Sequence, residues 1–251
     1  MPLKIFAFVI LTLTTGFCTA QRADSGYTII YNYKVTRPNI TIDGQKYFVL
    51  DNGKQSISWL DVSSAIQSGE AKGNRLIVND KSKKAIPVYK NLEMKTVVFE
   101  MSTPFTPKNI TIFSDSLHPI EWQITNEERV IDSLNCIAAT CLFRGRNYKA
   151  WFAPEIPLNQ GPWKFGGLPG LIVLLTDSES LYEWRLTSLT RAAVEIPPAP
   201  VPQDTYQAFA RLFREGADKA IEAAKARMGI DPNCIDCGKN ASVKVETLER
   251  F

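Results

Sequence analysis

Gly161-Pro162-Trp163-Lys164-Phe165-Gly166-Gly167-Leu168-Pro169-Gly170-Leu171-Ile172 is the stretch from which the fold is read. Leu168-Pro169-Gly170-Leu171 has proline and glycine at the two central turn positions. That is the type II preference, with Pro169 presetting φ and Gly170 accepting φ > 0. Gly161-Pro162 is a second turn element. The Gly166-Gly167 pair allows a bulge or a close backbone approach between Phe165 and Leu168. The segment lacks the strand-to-helix context and the Lys-Ser/Thr ending of a phosphate-binding loop, which excludes nucleotide binding.

Downstream, Leu171 to Leu175 is continuously apolar, as in a strand buried on both faces. Asp177-Ser178-Glu179-Ser180 is a turn and Tyr182 to Leu186 alternates, so residues 171 to 188 form a hairpin. Upstream, Ile120-Glu121-Trp122-Gln123-Ile124 alternates with Ile120, Trp122 and Ile124 on one face, and residues 128 to 134 and 136 to 143 continue the β block. Tyr27 to Tyr33, Lys46 to Leu50 and Lys95 to Glu100 are further strands, with Asn52-Gly53 a hairpin turn. Asp61 to Ser68 reads as one short helix capped by Asp61. Lys81, Lys83 and Lys84 lie in a polar turn and read as a solvated face.

Residues 196–202, Ile-Pro-Pro-Ala-Pro-Val-Pro, are too proline-rich for a helix or a central strand and form a polyproline connector. The helix 204–228 follows, capped by Asp204 with Gln207 at the reciprocal position. Tyr206, Phe209, Phe213, Ala217, Ala220, Ile221, Ala224 and Met228 form its apolar stripe. The fold class is therefore mainly β: a single antiparallel curved sheet, open sandwich or half-barrel, with one long C-terminal α-helix.

The first 20 residues carry Lys4 as their only charge, then an apolar run, then Cys18-Thr19-Ala20, the pattern of a secretory signal peptide. Residues 21–251 are then one β-rich domain that includes the connector, the helix and a tail from 229, with no transmembrane segment after processing. Charge is close to balanced, with 29 Lys and Arg against 26 Asp and Glu, which argues against a nucleic-acid partner. In an exported chain Cys136, Cys141, Cys234 and Cys237 are disulfide candidates. Pairing within Cys136/Cys141 and within Cys234/Cys237 is preferred on proximity. Residues five apart on an unbroken strand, however, point to opposite faces.

Together with Phe143-Arg144-Gly145-Arg146-Asn147-Tyr148-Lys149-Ala150-Trp151-Phe152 and Glu155-Ile156-Pro157-Leu158, the opening stretch resembles the GLPGLI family of exported Bacteroidota proteins. Gly161, Pro162, Gly167, Leu168, Pro169, Gly170, Leu171 and Ile172 are the motif positions. The resemblance implies a periplasmic, outer-membrane-associated or extracellular β-rich protein without an established activity. A weaker similarity to a bowl-like N-terminal domain of some bacterial peptide N-glycosidases suggests, by analogy, glycan or peptide binding.

No catalytic constellation is visible, no cofactor is implied and no metal site is assigned. His118 is the only histidine, so it cannot build a multi-histidine site. The Cys234/Cys237 spacing lacks the further ligands or the βαβ context that metal or redox chemistry needs. Asn39, Asn109 and Asn240 head Asn-X-Ser/Thr triplets that mark surface loops. Arg144, Arg146, Trp151, Glu155, Trp163 and Lys164 form the one cluster where aromatic rings, charges and tight turns point to a binding surface. The same residues would also serve to cover a sheet edge. The function read from sequence is a non-enzymatic exported binding or envelope-assembly protein. It would use a concave β surface for a peptide, a glycan or an envelope or outer-membrane protein. A secreted hydrolase or a copper- or zinc-handling protein is the alternative.

Overall fold

The computed structural model describes residues 24–37, 40–61, 87–102, 110–117 and 120–227. Within them the chain forms β1 (Asp24–Arg37), β2 (Ile40–Asp51), β3 (Gln55–Leu60), β4 (Val88–Asn91), β5 (Thr96–Ser102) and β6 (Ile110–Ser116). It continues through β7 (Gln123–Ile131), β8 (Leu134–Phe143), β9 (Arg146–Ala153), β10 (Leu171–Asp177), β11 (Tyr182–Val194) and β12 (Asp204–Thr205) into α1 (Tyr206–Arg227). All twelve strands lie in one open sheet ordered β12-β6-β5-β4-β3-β2-β1-β11-β10-β9-β8-β7. Every pairing is antiparallel except β12 with β6. The chain is thus mainly β with one helix among the described residues, as the turn and strand pattern implies. No described helix is long and apolar enough to cross a membrane.

Directly opposed residues share a face, so the register traces the inner surface across the sheet. One row runs Ile29, Val49, Ser58, Val88, Phe99 and Phe113. On the other side of β1 a second row runs Tyr33, Trp184, Leu175, Ala150, Ala139 and Ile124. The sheet is strongly curled about that face. Asp115 on β6 and Arg144 in the β8–β9 turn belong to strands at least eight places apart, roughly 40 Å in a flat sheet at about 4.8 Å per strand. Their side chains nevertheless meet at 2.8 Å. Register shifts in β1, β10 and β7 supply bends of the kind β-bulges introduce.

Two bodies fill the curl. Residues 154–170 fold back over the inner face of β1, β2 and β8–β11, where Phe165 and Leu168 join the largest core cluster. α1 covers β4–β6 through Tyr206, Phe209, Ala210 and Phe213, which pack on Val88, Val97, Phe99 and Phe113.

Four local expectations change. Ile120-Glu121-Trp122 is not a strand, because β7 begins at Gln123 and Trp122 instead caps the inserted loop. Ile124 points to the inner face but stands 52% exposed. Gly170 does not adopt positive φ; Gly167 does, at 90°. Gly170 is required for a different reason, since a Cβ there would stand 2.4 Å from the Ala153 carbonyl oxygen. Cys136 and Cys141 are both free and buried, so the bridge expected between them is absent. β8 runs unbroken from one to the other and turns them into separate clusters on opposite faces. The helix begins at Tyr206 with Thr205 as its cap, Thr205 Oγ1 accepting the Ala208 amide at 3.3 Å. Residues 1–23, 38–39, 62–86, 103–109, 118–119 and 228–251 lie outside the described residues. With them go the leader, Asn39, most of the expected helix after Asp61, the lysine cluster, Asn109, His118, Met228, Cys234, Cys237 and Asn240.

Candidate functional site

The inserted loop is held first by its own backbone. Phe165 N donates to Pro162 O at 3.0 Å, Ile172 N to Gln160 O at 3.1 Å and Leu171 N to Ile156 O at 3.0 Å. Its core is Phe165, fully buried, with ring centroids of Tyr148 at 4.6 Å, Phe143 at 5.2 Å, Trp163 at 5.6 Å and Trp122 at 6.1 Å. Offset and edge-on pairs of this kind add to plain area burial. Trp122 Nε1 donates to Gly166 O at 2.8 Å, and Asn159 Oδ1 accepts the Gly167 amide.

Beneath the loop lies a buried polar relay that sequence reasoning missed. Lys90 of β4, 3% exposed, donates from Nζ to Gln160 Oε1 at 2.9 Å, Phe165 O at 2.9 Å and, at 3.4 Å, Gly161 O. Gln160 Nε2 donates onward to Asp51 Oδ1 at 2.8 Å. Burial pushes the Lys90 ammonium down to about 8, partly offset by Asp51, and pushes the Asp51 carboxyl above its ordinary range. The three ammonium protons match three acceptors, two of them main-chain carbonyls, so Lys90 pins the loop and has no free face for chemistry. Its only signal in sequence was position: Val88 and Lys90 alternate onto the inner face.

The six residues proposed for binding do not form one site. Arg144 and Lys164 converge on Asp115: Arg144 Nη2 reaches both carboxylate oxygens at 3.0 and 2.8 Å, and Lys164 Nζ lies at 3.6 Å. Above them Arg144 stacks on Tyr206 of α1 at 3.7 Å, while Lys164 lies 4.3 Å from the Phe99 ring centroid and 5.3 Å from that of Trp163. The void among these groups is about 10 Å³, room for one water at most. The cluster is a clasp that joins the β8–β9 turn, the loop, β6 and the helix. Trp163 adopts φ of 53°, an uncommon state for a bulky residue, and it is held there by Phe143 and Phe165. Arg146 is committed elsewhere, buried against Asp177 at 2.7 Å with Glu179 at 3.3 Å. Trp151 lies on the outer face, covered by Arg129 at 4.5 Å and Lys149 at 5.0 Å.

Glu155 alone of the six opens onto a sizeable space. At the β7–β8 edge of the sheet, Glu128, Val130, Asn135 and Ile137 from the inner face, Arg129 and Cys136 from the outer face, and Pro154 and Glu155 at the start of the inserted loop line an open groove of about 510 Å³. That is within the range of small-ligand sites. Glu155 Oε1 accepts the Asn135 amide at 3.3 Å, and Val130 is 66% exposed. Cys136 is among the lining residues, its thiol pushed up by burial, which lowers its thiolate fraction. Among the described residues no three His, Cys, Asp or Glu side chains converge as a metal site would require.

Residues 144–174, which contain Arg144 and Lys164 of the clasp, β9, the inserted loop and the start of β10, match a family described as a protein of unknown function (Porph_ging). None of the curated proteins compared with the chain matches it. Two solved structures of PNGF-II, in C2 and P21 space groups, share its fold. The first has a TM-score of 0.52 at 13% identity over 76% of this chain, the second 0.51 at 14% over 76%. The chain spans only 33% and 34% of those proteins' lengths.

Proposed function

We propose that the chain is an exported, non-enzymatic binding or envelope-assembly protein of the GLPGLI type, which holds a peptide, a glycan or an envelope protein at the β7–β8 rim of its curled sheet. One observation carries the reading: the inserted loop and α1 pack into the two core clusters of the inner face, while at the β7–β8 edge an open groove remains among the described residues. The aromatic and cationic residues of the motif are satisfied internally, so they support the shell rather than a ligand. The likeness to PNGF-II supports the architecture only.

The test is a surface binding screen against short peptides, oligosaccharides and envelope extract, run with wild type, with Glu128→Ala plus Asn135→Ala, and with Lys164→Ala. Loss of a captured ligand in the rim variant at unchanged Tm, with retention in folded Lys164→Ala, supports the reading. Undiminished capture by the rim variant overturns it. Glu155 shares the groove with Glu128, and two carboxylates in one cleft favour a secreted hydrolase as the second reading. Turnover of a fluorogenic glycoside or peptide that vanishes in Glu155→Gln would establish that reading instead.

A further inference from the structure

β7 is a terminal strand: among the described residues it pairs only with β8. Every second residue of such an edge turns its N–H and C=O away from the sheet, a template for another strand. The register shift between Ile124 and Glu128 interrupts that template, so the regular part is Glu128 to Ile131, beside the groove. Glu128 and Val130 oppose Ile137 and Asn135 and therefore face the groove from the inner side.

The charges select the occupant. Glu127 is held by Lys149 at 2.6 Å, and Arg129 lies on the outer face over Trp151. Arg129 also lines the groove, but its guanidinium is stacked on Trp151 at 4.5 Å; the groove's carboxylates are those of Glu128 and Glu155, and Glu128 makes no ion pair among the described residues. A second copy of β7 does not fit. Two copies related by a twofold axis normal to the sheet must oppose residues of the same face. An axis at Glu128 sets Glu128 against itself and one at Arg129 sets Arg129 against itself, while one at Val130 leaves only Arg129 to Ile131 overlapping, because Asp132 lies past the strand end at a φ of 48°. Like charges directly opposite are destabilising. The chain as a whole carries a net charge of +3, so attraction of a cation here is local rather than global.

We propose that the β7 edge takes up an extended basic peptide as an added strand along Glu128–Ile131, with a Lys or Arg side chain opposite Glu128 and an apolar side chain over Val130. This rests on the reading of the rim as the binding surface. Main-chain pairing supplies affinity and the alternating side chains supply selection.

Fluorescence anisotropy with a labelled eight-residue peptide alternating Lys and Val, and with its Glu/Val counterpart, tests it. The Lys/Val peptide is expected to bind about tenfold or more tightly than the Glu/Val peptide and to weaken with salt. Glu128→Lys reverses the preference at unchanged Tm. N-methylation of one set of alternate amides abolishes binding, while methylation of the other set leaves it. Equal binding of both peptides, no binding of either, indifference to Glu128→Lys or tolerance of both methylated sets overturns the proposal. If instead a neutral oligosaccharide binds and is lost in Glu128→Ala plus Asn135→Ala, the added strand is wrong and the rim remains the binding surface. If the rim variant loses nothing, both readings fall.

Discussion

Lys90 carries a charge inside the protein, at 3% exposure, and its ammonium is pushed down to about 8 from an ordinary 10.5. A cation lowered in the folded state is released there first as pH rises. Between about 8 and 10.5 the unfolded chain then binds more protons, and the Lys90 contribution to stability rises with pH across that window. Cys141, from an ordinary 9.0, and Tyr31, Tyr33 and Tyr47, from an ordinary 10.0, have their ionisation delayed by burial and act in the opposite direction within the upper part of the same window. The Lys90 effect is therefore read from a difference. Lys90→Met leaves Gln160 Oε1 and two carbonyls without their donor and is expected to cost about 1–3 kcal/mol at pH 7 in denaturant unfolding. Its deficit relative to wild type should widen between pH 8 and 10.5; a constant or shrinking deficit would contradict the assignment. Beyond its alternation with Val88, nothing in the sequence distinguished Lys90 from a surface lysine, because its acceptors come from a loop about seventy residues away. Arg144 and Lys164 were legible as residues with a role, but not their destination. Asp115, which receives them, lies on a strand that only the curl brings near.

At the level of elements, local pattern was informative wherever partners are sequence neighbours. The β10–β11 hairpin, the buried run of β10 and the first half of the apolar stripe of α1, Tyr206, Phe209, Phe213 and Ala217, follow from periodicity and turn chemistry. Errors occur where a distant partner takes a residue away from its local preference. Asp204 looked like the helix cap, but Asp204 and Thr205 form the parallel bridge to Phe113 and Ser114, so the cap moves one residue on. Thr205→Ala should therefore destabilise by about 0.5–2 kcal/mol and Asp204→Ala by much less, measured by thermal unfolding. Equal losses would place the cap at Asp204. Trp122 alternates like a strand residue but donates its indole N–H to Gly166 O, a pairing that period-2 spacing cannot reveal. On β8 the same alternation that built the strand separates Cys136 from Cys141, so geometry outweighs proximity.

On the scale of the whole molecule, an open sheet of twelve strands has to bury its inner face without closing its hydrogen-bond ladder. It does so with a plug and a clasp. The inserted loop seats Phe165 at the centre of the curl, and Arg144 and Lys164 tie the far strands together through Asp115 and Tyr206. The groove at the β7–β8 edge opens beside the first residues of the plug, Pro154 and Glu155, and the functional reading rests there. The most direct measurement is the thermal and denaturant unfolding of Phe165→Ala beside Glu128→Ala. A plug predicts a loss of about 3–5 kcal/mol for Phe165→Ala, with Glu128→Ala unfolding like wild type. Wild-type stability in Phe165→Ala would instead mean that the motif loop is free of the core and available to a ligand, contradicting the account.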